Sequence, residues 1–353
     1  MHLTPNTVPE TAPGGLHHTA QDASSGTGHA ADALSREARP LPAGQPTNPE
    51  AAISVRGLRK SFGRQEILHG LDFDIPAGSI CGLLGRNGAG KTTALSILSG
   101  QDRATHGEVS VLGREPFEDI ETASRLCFAR ENQKYPESFK AGHVLKSAPW
   151  FFENWDQEFA ERLVRMFRLP VETKIQKLSR GQLSSVAIVV GLAARAPLTF
   201  FDEPYLGLDA TARQLFYDVM LQDYLEHPRT IVMSTHLIDE AADLLEKVLV
   251  IDDGRILMDA DADSARSAAF SLSGPAAAVG QLTEGRSILH SRRIGGLSSV
   301  TLAGQPDAGL AAAAAEQRLE IGPVGLQDLV AAIGSRPTDT MGETVAGTPK
   351  ESR

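Results

Sequence analysis

Aromatic residues are missing from both ends of this chain. None of its 13 Phe, 4 Tyr and 2 Trp precedes Phe62 or follows Phe270, although the chain has 353 residues. Each aromatic side chain buries a large apolar area, so flanks without any are poor candidates for independent cores. Cysteine is scarce too. Cys81 and Cys127 are the only two, too few for a disulfide framework and suited to a reducing cytosol. No uninterrupted apolar run reaches the roughly 18 residues that a membrane span needs. The best stretch, 186–201, is broken by Arg195 and Pro197. The N-terminus lacks the basic patch and continuous apolar region of a secretory signal. Basic residues are in the minority, 34 against 44 acidic, for a net charge of −10. That balance argues against a general nucleic-acid binder. The expectation is a soluble, cytoplasmic chain with one well-packed domain between two weaker ends.

Residues 1–50 are rich in Pro, Gly, Ala, Ser, Thr and His without an apolar period, and are expected to be a disordered tail. From Ile53 the texture changes. Residues 53–58 and 71–75 alternate as half-buried strands, and residues 79–84 form an apolar run into a glycine-rich turn. Phe159, Leu163, Met166 and Phe167 recur at helical spacing, and Ser179 opens a second apolar helix through Leu183, Val186, Ala187 and Val190. Short apolar strands return at 198–201, 230–234 and 248–251 with helical segments between them. This alternation predicts an α/β fold with a mostly parallel sheet covered on both faces. The domain is expected over 51–260. A small α+β extension is expected over 261–335, with strands near 287–290 and 299–302 and a helix over 325–333. Residues 336–353 are expected to be a disordered tail.

Gly85-Arg86-Asn87-Gly88-Ala89-Gly90-Lys91-Thr92, followed by Thr93, fits G-x-x-x-x-G-K-[ST]. It sits between a predicted strand and a predicted helix, the context that separates a P-loop from a chance match. Its glycines let the backbone fold tightly, so that successive N–H groups converge on phosphate oxygens at a helix N-terminus. Lys91 offers a point charge to the β- and γ-phosphates, and the Thr92 hydroxyl is a hard ligand for Mg²⁺. Taken alone, the motif implies a nucleoside triphosphate with Mg²⁺.

The strand over 198–201 runs into Asp202 and Glu203. In a parallel sheet such an end lies at the carboxyl edge, where ligands bind. Asp202 is then placed to hold Mg²⁺ and Glu203 to orient or deprotonate a water. Upstream stands Leu178-Ser179-Arg180-Gly181-Gln182. Downstream come Gly207-Leu208-Asp209 and then His236. With these motifs once each and in this order, the chain resembles the nucleotide-binding subunit of an ATP-binding-cassette (ABC) transporter over about Ile53 to Leu257.

The resemblance implies a P-loop NTPase core with an antiparallel β subdomain and a helical insertion at about 135–180. It implies ATP and Mg²⁺ as ligands and ATP hydrolysis as the activity. It also implies a second cassette as partner, because each ATP is gripped by the P-loop of one subunit and by Ser179, Gly181 and Gln182 of another. Asp209 corresponds to the carboxylate of the loop facing the opposite subunit. His236 corresponds to the γ-phosphate switch histidine, and Phe62 to the aromatic that stacks on adenine. A separate integral membrane permease completes the machine, placing this chain at the inner face of the membrane; no nucleic acid is expected. The aromatics Trp150, Phe151, Phe152 and Trp155 either dock on that permease or pack inside the helical layer. The late helix resembles C-terminal extensions of exporter subunits. A non-transport ABC ATPase acting on ribosomes or DNA, and a non-hydrolysing regulatory cassette, are the alternatives.

Three positions depart from the family pattern. Arg180 stands where a second glycine is usual, and Tyr205 where a small hydroxyl residue is usual. In the loop that senses the membrane partner, Glu131 occupies the usual glutamine position while Gln133 lies two residues on. Side-chain chemistry favours Gln133 slightly as a ligand of Mg²⁺ or of the attacking water, and Glu131 stays open.

Overall fold

The computed structural model describes residues 51–131 and 133–334. The expected tails, 1–50 and 336–353, lie outside the described residues. The strands run, in chain order, β1 Ala51–Phe62, β2 Gln65–Pro76, β3 Ile80–Leu84, β4 His106–Val111, β5 Leu126–Arg130 and β6 Leu198–Asp202. They continue as β7 Thr230–Thr235, β8 Lys247–Asp252, β9 Arg255–Asp261, β10 Ala269–Pro275, β11 Ile288–Ile294, β12 Leu297–Ala303 and β13 Glu320–Pro323.

The central sheet has six strands in the order β5-β6-β7-β3-β8-β9. Every pairing in it is parallel except β8 with β9. β3, β6 and β7 are buried at every residue, as strands covered on both faces must be. Successive side chains point to opposite faces. Phe200 therefore joins the cluster formed with the helix Lys91–Leu98 and with the antiparallel sheet β2-β1-β4, through Leu95, Ile53 and Phe73. Phe201 points the other way, into the cluster with Val186, Leu192 and Phe216. Phe201 also meets the Phe216 ring edge-on at 5.3 Å. Cys81 and Cys127 are buried free thiols, and burial pushes both up to about 12.

Between β5 and β6 the chain forms a helical layer from Ala141–Ser147 and Gln157–Met166 to Arg180–Ala193. Asp156 caps the middle helix by accepting the Phe159 N–H at 2.8 Å. Phe159 and Leu163 then pack with Leu145, Ile175 and Val189. The aromatic group divides. Phe152 and Trp155 are partly buried, whereas Trp150 is 81% and Phe151 68% exposed.

Beyond β9 the chain continues into a four-stranded antiparallel sheet, β11-β12-β10-β13. Helices Ala276–Thr283 and Ala308–Glu316 link its strands in the order βαββαβ, the split βαβ arrangement. β12 encloses the strand expected over 299–302 and β11 overlaps the one expected over 287–290, starting one residue later; β10, β13 and both helices were not anticipated. The last helix, Leu326–Gly334, leaves this unit. Leu326, Leu329 and Val330 pack in the main core with Ile238 and Ala241.

Candidate functional site

β3 ends at Leu84 and the chain turns through the glycine-rich loop into the helix Lys91–Leu98. Gly85 has φ +151, and a Cβ there would stand 2.0 Å from the Ile251 carbonyl oxygen on β8. Gly90, with φ +107, is the N-cap residue of the helix. Any other residue at Gly85 would push the loop off the sheet, so the cradle depends on that glycine. Lys91 is buried, and its Nζ donates to the carbonyls of Gly85 at 2.8 Å and Arg86 at 3.1 Å.

β6 delivers the two acids. Asp202 Oδ1 accepts from the Ser234 hydroxyl at 2.5 Å. The same hydroxyl accepts the Glu203 N–H at 3.1 Å, so one serine on β7 fixes both acids. Glu203 takes φ +47, a left-handed conformation that costs a non-glycine residue energy and gathers at functional sites. There its carboxylate stands 3.4 Å from Lys91 Nζ and 3.1 Å from His236 Nδ1.

Tyr205 is the neighbour of His236 that sequence reasoning did not place at the site. It registered only as an oversized replacement in its motif. Its ring is 1% exposed. Its hydroxyl accepts the His236 N–H at 3.1 Å and lies 2.8 Å from Thr235 Oγ1 and 3.3 Å from His236 Nδ1. Burial pushes this phenol up to about 12, so it stays protonated as a hydrogen-bonding anchor for the histidine.

These groups surround one cavity of about 760 Å³, lined by Phe62, Asn87, Gly88, Gly90, Lys91, Thr92, Thr93, Arg130, Glu131, Arg180, Asp202, Glu203 and His236, with Ile67 and Leu206. Phe62 closes the end of β1, is 54% exposed and carries Lys60 Nζ at 4.7 Å from its ring centroid. Gly85, Arg86 and Ala89 shape the loop without lining the cavity. Of the two sensing-loop candidates, Glu131 lines the cavity and Gln133 does not. The reason is backbone placement. The Glu131 N–H donates to the Asp202 carbonyl at 3.2 Å, which extends the β5–β6 pairing by one residue, whereas Gln133 is held in a turn to Arg130.

Four further sequence candidates lie outside this cavity. Ser179 and Gln182 form a reciprocal capping box at the start of the helix Arg180–Ala193. Gly181 presses on the next loop, where a Cβ would stand 2.3 Å from the Gly207 carbonyl oxygen. Asp209 caps the helix Ala210–Glu226 through the Ala212 N–H at 2.8 Å.

The Thr92 hydroxyl and the Asp202 carboxylate, both lining the cavity, form the hard-oxygen donor set that suits Mg²⁺. Among the described residues there is no cluster of three or more His, Cys, Asp or Glu of metal-site geometry.

Parallel sheet, P-loop and paired acids define a P-loop nucleoside triphosphatase. The family profile described as ABC transporter matches residues 68–206. The aliphatic sulfonates import ATP-binding protein SsuB of Pseudomonas putida is 32% identical over 219 residues, 61% of this chain and 78% of the relative. The protein of the same name from Rhodopseudomonas palustris is 32% identical over 238 residues, 65% of this chain and 81% of the relative. A solved ATP-binding subunit of an ABC transporter superposes with a TM-score of 0.55 at 25% identity, over 61% of this chain and 92% of that one. A dimeric ATP-binding cassette bound to ADP and phosphate, 22% identical with a TM-score of 0.52 over 60% of this chain and 98% of that one, shares the fold. The chain belongs to the ABC transporter family, as an ATP-binding, ATP-hydrolysing subunit. Both named relatives are importers, so the exporter likeness of the last helix finds no support in them. No described helix is long and apolar enough to cross a membrane.

Proposed function

We propose that this chain hydrolyses ATP with the residues around the cavity and passes the resulting motion to a separate membrane subunit. The observation that carries the reading is the cluster of Lys91, Glu203 and His236, with Glu203 held at φ +47 between the other two. Phe62 stacks on the adenine. The P-loop N–H groups from Asn87 to Thr93, together with Lys91, hold the β- and γ-phosphates. Thr92 and Asp202 hold Mg²⁺, which when bound neutralises phosphate charge. Glu203 orients the attacking water and takes its proton, while His236 fixes the γ-phosphate side of the site.

Ser179, Gly181, Gln182 and Asp209 lie outside the cavity that holds Lys91, which supports a site completed by a second cassette. The exposed Trp150 and Phe151 support docking of the membrane subunit on the helical layer, at the inner face of the membrane. Sulfonate import belongs to the named relatives; here the cargo is set by the membrane subunit.

Two variants test the assignment. Lys91→Ala should weaken ATP binding by about tenfold or more, since it removes a charge-assisted phosphate contact. Glu203→Gln should bind ATP as before and lose turnover by about 100-fold or more, the usual share of a general base. ATPase activity unchanged in Glu203→Gln, measured by phosphate release, would refute the role of Glu203.

A further inference from the structure

One ion pair at the rim of the cavity joins two elements that also meet through apolar packing, Cys127 of β5 against Val190 of the helix that follows Ser179. Arg180 is the first residue of the helix Arg180–Ala193, and its guanidinium is paired with the Glu131 carboxylate that follows β5. Each charge is unfavourable by itself. A cation at a helix N-terminus opposes the positive end of the helix dipole, and the first turn of this helix contains no acidic residue to offset it. A carboxylate only 14% exposed, in a cavity that receives a polyphosphate, is desolvated and repels the ligand.

The backbone fixes the root of each side chain, and the Arg180 arm, 64% exposed, reaches the more buried Glu131 from the solvent side. Glu131 is tied to Asp202 by its N–H. Arg180 is held between the capping box of Ser179 and Gln182 and the close approach of Gly207. The pair also balances the cavity. Its full charges are Lys91, Arg130 and Arg180 against Glu131, Asp202 and Glu203. Two of the three departures from the family pattern are therefore opposite in sign and meet in space.

We propose that Arg180 and Glu131 act as one charge-compensating unit. Arg180 is a positioning residue that neutralises Glu131 beside the bound triphosphate and ties the helix Arg180–Ala193 to the loop after β5 of its own chain. This inference rests on the ATPase reading of the cavity. Removing Arg180 leaves an uncompensated anion facing ATP and raises KM. Removing the charge of Glu131 leaves a spare cation, which tightens ATP and ADP, lowers KM and slows product release. The two single changes thus move KM in opposite directions, which loss of a merely structural contact would not do.

The test is a double-mutant cycle on the full chain with Arg180→Gln, Glu131→Gln and both together, reading kcat and KM for ATP at fixed Mg²⁺. Arg180→Gln is expected to raise KM and Glu131→Gln to lower it, each by about fivefold, and the double variant to return KM close to that of the unaltered chain, since it removes both charges together. Arg180→Lys, which keeps the charge, should recover most of the KM. Equal melting temperatures across the set show that folding is not the cause. KM shifted in the same direction by both single changes, or left unchanged in Arg180→Gln, would overturn the proposal. Lys91→Ala separates the two levels of inference. If it leaves ATP binding intact, the nucleotide reading itself fails. If it abolishes binding while the two single changes fail to move KM in opposite directions, only the role of this pair fails.

Discussion

The carboxyl edge of the six-stranded sheet and the four-stranded sheet over 269–323 belong to one chain but use different materials. At the edge, charged groups are buried and fixed by specific partners. Lys91 donates to two loop carbonyls, Asp202 accepts from Ser234, and Glu203 is held at φ +47. Each such arrangement costs energy that the surrounding core must offset. The four-stranded unit has a small core of Phe270, Leu272, Val279, Val300, Leu302, Leu310, Ala314 and Leu319. Its edge strand β11 is exposed at every residue except Leu289. It displays the exposed Ile294 and Leu297 at its hairpin rather than a set of fixed charges. One region is over-determined by buried polar partners; the other rests on a small core with ordinary surface contacts such as Arg286 with Asp307. Their physical link is the helix Leu326–Gly334, which packs on the segment just after His236.

The sharpest way to separate the two regions is alkaline pH. All four tyrosines, Tyr135, Tyr205, Tyr217 and Tyr224, precede Phe270, and burial raises every one of them above the ordinary phenol. A group whose folded value is raised contributes stability that is complete below its unfolded value, about 10 for a phenol. That contribution is lost as pH rises towards the folded value, because the unfolded chain releases the proton first. The cassette should therefore lose stability above about pH 10, whereas the four-stranded unit has no tyrosine to titrate. Tyrosinate absorbance should appear together with loss of cassette structure. Smooth tyrosine titration around pH 10 in a still-folded cassette would count against the burial of these rings.

The link between the regions is the next point of attack. Leu329 is 1% exposed and sits in the main core. Leu329→Ala should cost about 2–5 kcal/mol, the range for truncating a buried leucine. Leu297, 61% exposed in β12, is the control, and its change to alanine should stay within about 0.5 kcal/mol. Thermal unfolding followed through a bound nucleotide analogue would show whether the loss reaches the cassette. Equal, small shifts for both variants would mean that the last helix contributes nothing to that core.

The contrast between the regions also explains what could be read from the chain before folding. P-loop, paired acids, Ser179 to Gln182 and His236 are legible because phosphate and water chemistry restricts residue type and spacing together. The parallel sheet is legible because buried strands must be continuously apolar. Of the four-stranded unit only β11 and β12 were legible, and the rest escapes notice for the opposite reason. The helix Ala308–Glu316 is alanine at most positions, so it carries no strong apolar face, and β13 is only four residues long. Within the site, what was missed depends on pairs distant in sequence. Nothing near Arg180 announces Glu131, and nothing near Tyr205 announces His236.

Tyr205 offers the finest test, because it asks whether the edge is over-determined to the level of a single hydroxyl. Tyr205→Phe keeps the ring and its packing beside Tyr217, whose centroid is 6.5 Å away. It deletes the acceptor for the His236 N–H and the partner of Thr235. Leaving such groups unpaired in a buried setting costs about 1–3 kcal/mol. Part of that should appear as a lower melting temperature and part as freedom of the imidazole beside Glu203. If the hydroxyl positions His236 for the γ-phosphate, kcat should fall while KM for ATP changes little, since Lys91 and Phe62 are untouched. An equal melting loss with kcat preserved would make Tyr205 a core residue that happens to touch the histidine.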